Sequence, residues 1–164
     1  MKTFSIYKTA RMTAAALACA ATWSAYADCP SVPMAQRFAV NADGSEVTDL
    51  KTKVIWARCS VGQTWDGSTC SGDATKMSHE EALKYAKDQS GWRLPNVKEL
   101  GSLADRGCLS PAINREAFPN TPSTSYWTSS SYWSSAWFVY FATGSVFDDY
   151  RYQDKAIRLV RTGR

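Results

Sequence analysis

An α+β fold, a single compact and mainly antiparallel β domain with two helices, is predicted for this 164-residue chain. Three observations carry it: a strand–turn–strand pattern near the start, two capped helix-periodic segments in the middle, and alternating strands at the end. Helices set between antiparallel pieces of sheet belong to the α+β class.

Residues 37–40 and 46–49 flank Asn41-Ala42-Asp43-Gly44, a hairpin turn in which Gly44 supplies the positive φ. Val54-Ile55-Trp56-Ala57 is a third apolar strand, running into a turn-rich loop with Gly62, Asp66-Gly67 and Ser68. Ser78-His79-Glu80-Glu81 is a capping box. The helix behind it buries Ala82, Leu83 and Ala86, with Tyr85 flanking them, and ends near 89–91. His79, the chain's one histidine, falls in the first turn and is expected in solvent.

A corner follows. Trp92 and Leu94 alternate as on a short strand, and Pro95 biases Leu94 towards an extended backbone. Asn96 caps a second helix, with Glu99 placed to reach back to the cap. Val97, Leu100, Leu103 and Ala104 form its apolar stripe. Residues 106–125, with Gly107, three prolines and two asparagines, read as loop. Residues 129–135 read as a serine-rich loop. Residues 136–142, a Thr143-Gly144 turn and residues 145–150 make a hairpin, and 156–161 a closing strand that buries Ile157 and Leu159.

Residues 1–27 read as an export signal. Lys2, Lys8 and Arg11 form its positive head, Met12 to Thr22 is mostly Ala and Leu, and Ala25-Tyr26-Ala27 is a cleavage site. The apolar run is far short of the ~20 residues that span a membrane, so no stable membrane span is expected. Residues 28–164 then form the domain, in the periplasm or outside the cell. Those 137 residues suffice for one core. They carry 16 basic and 15 acidic side chains, so most of the formal +4 belongs to the signal. Such balance gives no support for a nucleic-acid partner. The local exception is Arg151, Lys155, Arg158, Arg161 and Arg164 against the single acid Asp154, a candidate polyanion-binding strip.

Four cysteines follow the signal, Cys29, Cys59, Cys70 and Cys108, and an even number in an exported chain points to two disulfides. Three pairings are open. The turn-rich loop favours Cys59–Cys70, which leaves Cys29–Cys108. A zinc site lacks both CxxC spacing and a second histidine.

The Trp92-Arg93-Leu94-Pro95 corner with Lys98-Glu99-Leu100 returns in order with Tyr126-Trp127-Thr128-Ser129-Ser130, residues 136–141 and Arg158-Leu159-Val160-Arg161. This series resembles the C-terminal domain family of collagen-like bacterial adhesins, the Lcl C-terminal domain, over about 37–162. The resemblance implies a C-type-lectin-like arrangement with the chain ends brought together. It also implies Trp92, Trp127 and Trp137 as scaffold, and attachment to sulfated polysaccharides.

Catalysis is not expected. There is no GxSxG, no glycine-rich phosphate loop and no second histidine to share a metal. The Glu-Pro-Asn, Gln-Pro-Asp and Trp-Asn-Asp tripeptides of calcium-dependent lectins are absent too, so no cofactor and no metal are expected. The positive signal is aromatic. Eleven of the seventeen aromatic residues after position 27 lie between Tyr126 and Tyr152, while 117–147 carry no charged side chain. Rings with polar edges among hydroxyls suit a saccharide, which stacks its apolar face and bonds its hydroxyls. Tyr132, Trp133, Ser134, Tyr150, Arg151 and Tyr152 are the candidate ligand-binding residues. The expectation is a calcium-independent glycan-binding or adhesive module. The alternative is a subunit of an envelope complex or surface appendage with an extracellular protein ligand; a homo-oligomer is compatible with either.

Overall fold

The computed structural model describes residues 29–163. The predicted export signal and Arg164 lie outside the described residues. In chain order the elements are α1 (Met34–Arg37), β1 (Phe38–Val40), β2 (Glu46–Asp49), β3 (Val54–Ala57), β4 (Thr64–Trp65), β5 (Cys70–Ser71), β6 (Lys76–Met77), α2 (His79–Asp88), α3 (Val97–Ser102), β7 (Ser125–Tyr132), β8 (Ser135–Tyr140), β9 (Ser145–Tyr150), β10 (Lys155–Ala156) and β11 (Val160–Thr162). This is the α+β class, with α1 a single turn beyond the two expected helices. No helix among the described residues is long and apolar enough to cross a membrane.

Four strands in the order β1-β2-β3-β11 place the first and last strands of the domain in one sheet, at its two edges. Val47, Trp56 and Val160 lie opposite one another across β2, β3 and β11, and all three are fully buried. Gly44 in the β1–β2 turn sits at φ +78°, where a Cβ would come within 2.9 Å of the Trp65 ring. The turn therefore needs glycine for both backbone and space.

The second sheet has the order β6-β10-β7-β8-β9 and is a partition between two cores. Tyr126 and Val139, opposite each other, pack with Leu100 of α3 and with Phe141 on one face. Trp127 and Phe138, the next pair, pack with Ala82 and Ala86 of α2 on the other. A strand covered on both sides reads as a continuous apolar run rather than an alternation. Much of the aromatic density is thereby structural. Of the three scaffold tryptophans, Trp127 is fully buried, while Trp92 and Trp137 are half-buried.

The corner ties the two sheets together. Arg93 exchanges backbone hydrogen bonds with Val160 at 2.9 and 3.0 Å, and Ser129 of β7 donates its N–H to the Pro95 carbonyl at 2.8 Å. Glu99 accepts from the Asn96 N–H at 2.8 Å, closing the capping box, and grips both terminal nitrogens of Arg93 at 2.7 and 2.8 Å. One carboxylate thus fixes the helix start and the strand before it.

Three expectations are corrected. Residues 156–161 do not form one strand. β10 joins the five-stranded sheet and β11 the other, and Ile157 to Leu159 cross between them. The Ile157 and Leu159 carbonyls accept from Val61 and Ala57, so this crossing is held by the segment after β3. Residues 129–135 are not a loop. β7 continues to Tyr132 past a bulge between Trp127 and Ser131, because the partner strand β8 supplies ladder bonds that serine composition alone cannot reveal. His79 is fully buried, since α2 lays its first turn against the Trp127 face of the sheet.

The disulfides are Cys29–Cys108 and Cys59–Cys70. The second closes a short loop that holds the β4–β5 hairpin, with Cys70 fully buried. Restricting the unfolded chain over a loop of this size contributes about 3 kcal/mol. Replacing both Cys59 and Cys70 by Ala is therefore expected to lower the urea-unfolding free energy by about 2–3 kcal/mol. A loss below about 1 kcal/mol would show that the hairpin holds the loop unaided.

Candidate functional site

Three strand ends meet at one end of the five-stranded sheet. Tyr132 lies opposite Ser135, and Ser135 opposite Tyr150, so the three form one cross-strand row. Side chains in such a row share a face. The small Ser135 sits between two rings whose backbones are two strand spacings, about 9.6 Å, apart. A flat ring touching both walls at van der Waals distance needs about 7–8 Å.

The tip of the β7–β8 hairpin is the two-residue turn Trp133-Ser134, and Trp133 lies there at φ 50°. A bulky residue in the left-handed region costs roughly 1–2 kcal/mol. Arg151 donates its N–H to the Ser134 carbonyl at 3.4 Å, which ties the turn after β9 to this hairpin tip. Tyr152 then lies parallel to Tyr150, ring centroids 5.5 Å apart and planes within 9°. Tyr132 and Trp133 meet edge to face at 6.3 Å. All four rings are open to solvent, Tyr132 at 61%, Trp133 at 85%, Tyr150 at 56% and Tyr152 at 71%.

Between them is an open cleft of about 310 Å³, lined by Tyr132, Trp133 and Tyr150 together with Ser134, Ser135, Asp148 and Asp149. That volume is at the small end of ligand sites. Its lining offers ring faces for stacking, hydroxyls that donate and accept, and carboxylates that accept. The sequence reading missed Ser135, Asp148 and Asp149. The signal for them was the register of the β8–β9 hairpin, which the Thr143-Gly144 turn sets and which places Ser135 beside Tyr150 and Trp137 beside Asp148.

The five cations of the chain's last segment are not brought together. Arg158 is fully buried; its guanidinium donates to the carbonyls of Ala57 and Arg58 and to the hydroxyls of Ser60 and Thr121. Burial lowers its pKa to about 10, so it stays charged at neutral pH. Lys155 is buried over the Trp127 and Phe138 rings and bonds Asp149 at 2.6 Å. Arg161 pairs with Glu46 within the four-stranded sheet, away from the exposed rings, at 2.6 Å. Only Arg151 stands exposed next to the rings, and Arg164 lies outside the described residues. A polyanion strip is therefore not what this segment builds: Lys155 and Arg158 are buried, and Arg161 is paired with an acid.

His79 supports the site from behind. Its backbone N–H donates to the Arg151 carbonyl at 2.9 Å. Its Nδ1 faces the Arg151 Nε at 3.3 Å and its Nε2 the Thr128 carbonyl at 2.9 Å. A guanidinium only donates and a carbonyl only accepts, so the geometry selects neutral imidazole with the proton on Nε2. Burial first, and the Arg151 charge after it, hold the His79 pKa below the ordinary value, against the Thr128 bond that raises it.

The unfolded chain therefore takes up this proton before the folded one does. Stability is intact above about pH 6.5 and falls as pH drops below it. The melting temperature is expected to be flat from pH 8 to 7 and to decline between pH 6.5 and 5. The depressed carboxylates Glu99 and Asp149 add their own loss only below about pH 4. His79→Gln, which cannot titrate, is expected to start lower and lose little further across the same window. A wild-type melting temperature constant down to pH 5 contradicts this.

Among the described residues no three His, Cys, Asp or Glu side chains gather as a metal cluster. Comparison with curated proteins gives no match. The family model described as the Lcl C-terminal domain matches residues 45–161, from the start of β2 into β11. That span holds the corner, the whole five-stranded sheet, all of the four-stranded one but β1 and the end of β11, and the exposed rings, and covers well over half of the chain. The chain belongs to the Lcl C-terminal domain family.

Proposed function

We propose that this chain is an exported, non-catalytic binding domain that takes a glycan, without calcium, in the cleft between Tyr132 and Tyr150. One observation carries the reading: the four most exposed rings of the domain gather at one end of one sheet, and three of them line a cleft that also holds two serine hydroxyls. Exposed apolar groups gathered at one place mark an interaction site. Trp133 adds weight, since backbone strain that holds a large ring in water is seldom kept without use. The two disulfides fit an oxidising compartment, the periplasm or the cell exterior.

A glycan array probed with oxidised protein of residues 28–164, with and without EDTA, tests it. The expected result is binding that survives EDTA and drops in Tyr152→Ala. Silence across the array, or binding lost on chelation, overturns the reading.

Assembly with a protein partner draws on a different observation. β9 is a free sheet edge with Val146 and Phe147 exposed. Unpaired edges invite strand addition, but adjacent Asp148 and Asp149 along this one oppose a second copy of the same charge. A stable dimer or trimer on size-exclusion chromatography that dissociates in Phe147→Lys would favour this reading.

A further inference from the structure

Within that glycan reading, we infer that the cleft selects a sugar bearing protonated amines, such as a glucosamine oligosaccharide, over a sulfated or carboxylated one. The inference rests on the sign of the charge around the rings. The lining contains two carboxylates and no cation.

The two carboxylates differ. Asp149 is spent, one oxygen on the Lys155 ammonium at 2.6 Å and the other on the Tyr150 N–H at 2.8 Å. Asp148 is exposed and, among the described residues, has no hydrogen-bond or ion-pair partner. By alternation along β9 it shares the face of Tyr150, and by register it pairs with Trp137, two residues on from Ser135. Arg151, the nearest exposed cation in the chain, turns its Nε to His79 behind the sheet and is not part of the lining.

A sulfate entering here would meet Asp148 with no cation in the cleft lining to receive it. An ammonium on a pyranose would instead pair with Asp148 while its ring stacks on tyrosine or tryptophan. Ring faces attract cations as well, the stronger where water is excluded. Contact this close lies inside the ~8 Å screening length at physiological salt, so the preference persists there. For an open site the two effects amount to about tenfold in affinity.

Calorimetric titration of the oxidised protein at pH 6 and pH 8.5 tests this with three probes. They are a β-1,4-linked glucosamine tetrasaccharide, its fully N-acetylated counterpart and a heparin-derived tetrasaccharide. Expected at pH 6 is roughly tenfold tighter binding of the free amine than of the N-acetyl form. The gap should close at pH 8.5 and in Asp148→Asn, with the sulfated probe weakest. Equal affinity for amine and N-acetyl forms, both lost in Trp133→Gly, overturns the charge selection and leaves the glycan site standing. Tightest binding of the sulfated probe, or no binding of any probe, also overturns it; the glycan array then decides the wider reading independently.

Discussion

Arg158→Leu is expected to lower the stability of the domain by about 3–5 kcal/mol. This guanidinium is fully buried without a carboxylate partner. Neutral oxygens surround it: the carbonyls of Ala57 and Arg58, the hydroxyl of Ser60 and, at 2.8 Å, that of Thr121. The Phe118 ring lies beneath it at 4.8 Å. These acceptors come from the stretch Ala57 to Ser60 that ends β3 and from the long loop before β7, so one side chain at the sheet crossing ties its own segment to two distant ones. Leucine leaves the Ala57 and Arg58 carbonyls without this donor, each at about 1–3 kcal/mol and partly relieved by relaxation, while the Ser60 and Thr121 hydroxyls keep Tyr126 and the Phe118 carbonyl as partners. For a domain of this size the midpoint should fall by roughly 10–20 °C. Urea unfolding of Arg158→Leu and Arg158→Lys checks it, with Lys intermediate because an ammonium cannot span the same set of acceptors. A loss under 1 kcal/mol contradicts the hub, whereas weaker glycan binding by the folded fraction would revive the polyanion role.

Trp133→Gly is expected to do the reverse, abolishing function and sparing the fold. The ring is 85% exposed, so its removal opens no cavity. Glycine adopts φ 50° without strain, and this relief offsets the entropy it adds to the unfolded chain. Stability should stay within about 1 kcal/mol of wild type. Binding should weaken at least ~30-fold, the size of effect seen when a principal aromatic anchor is removed. A variant that loses both properties together would make Trp133 a structural residue. One that loses neither would remove the hairpin tip from the site.

What the sequence made legible was local chemistry. The capping boxes at Ser78 and Asn96, the Gly44 turn and the β8–β9 hairpin each depend on neighbours a few residues apart, and each formed as expected. The openness of Tyr132, Trp133, Tyr150 and Tyr152 was legible too, because serines and charges around them offer no apolar cover. Long-range contacts were not legible. The cations at 158 and 161 looked like surface charge because most of their acceptors lie about a hundred residues away in sequence, whereas Lys155 pairs with Asp149 only six residues back.

His79 was legible in principle. It lies three residues before Ala82 and seven before Ala86, on the stripe that faces the sheet, but its polarity outweighed its spacing. Asp148 needed register as well as composition. An adjacent acid pair looks solvated until the hairpin alignment sets it beside a row of rings.

The most direct test of the binding claim is an NMR titration of isotope-labelled, oxidised protein, in EDTA, with the glycan that scores highest on the array. Amide and indole shifts should concentrate at residues 131–135 and 148–152, with the Trp133 Nε1–H among the largest, and the glycan should be recovered unchanged. Shifts centred away from that end of the sheet, or cleavage of the added glycan, would contradict the account.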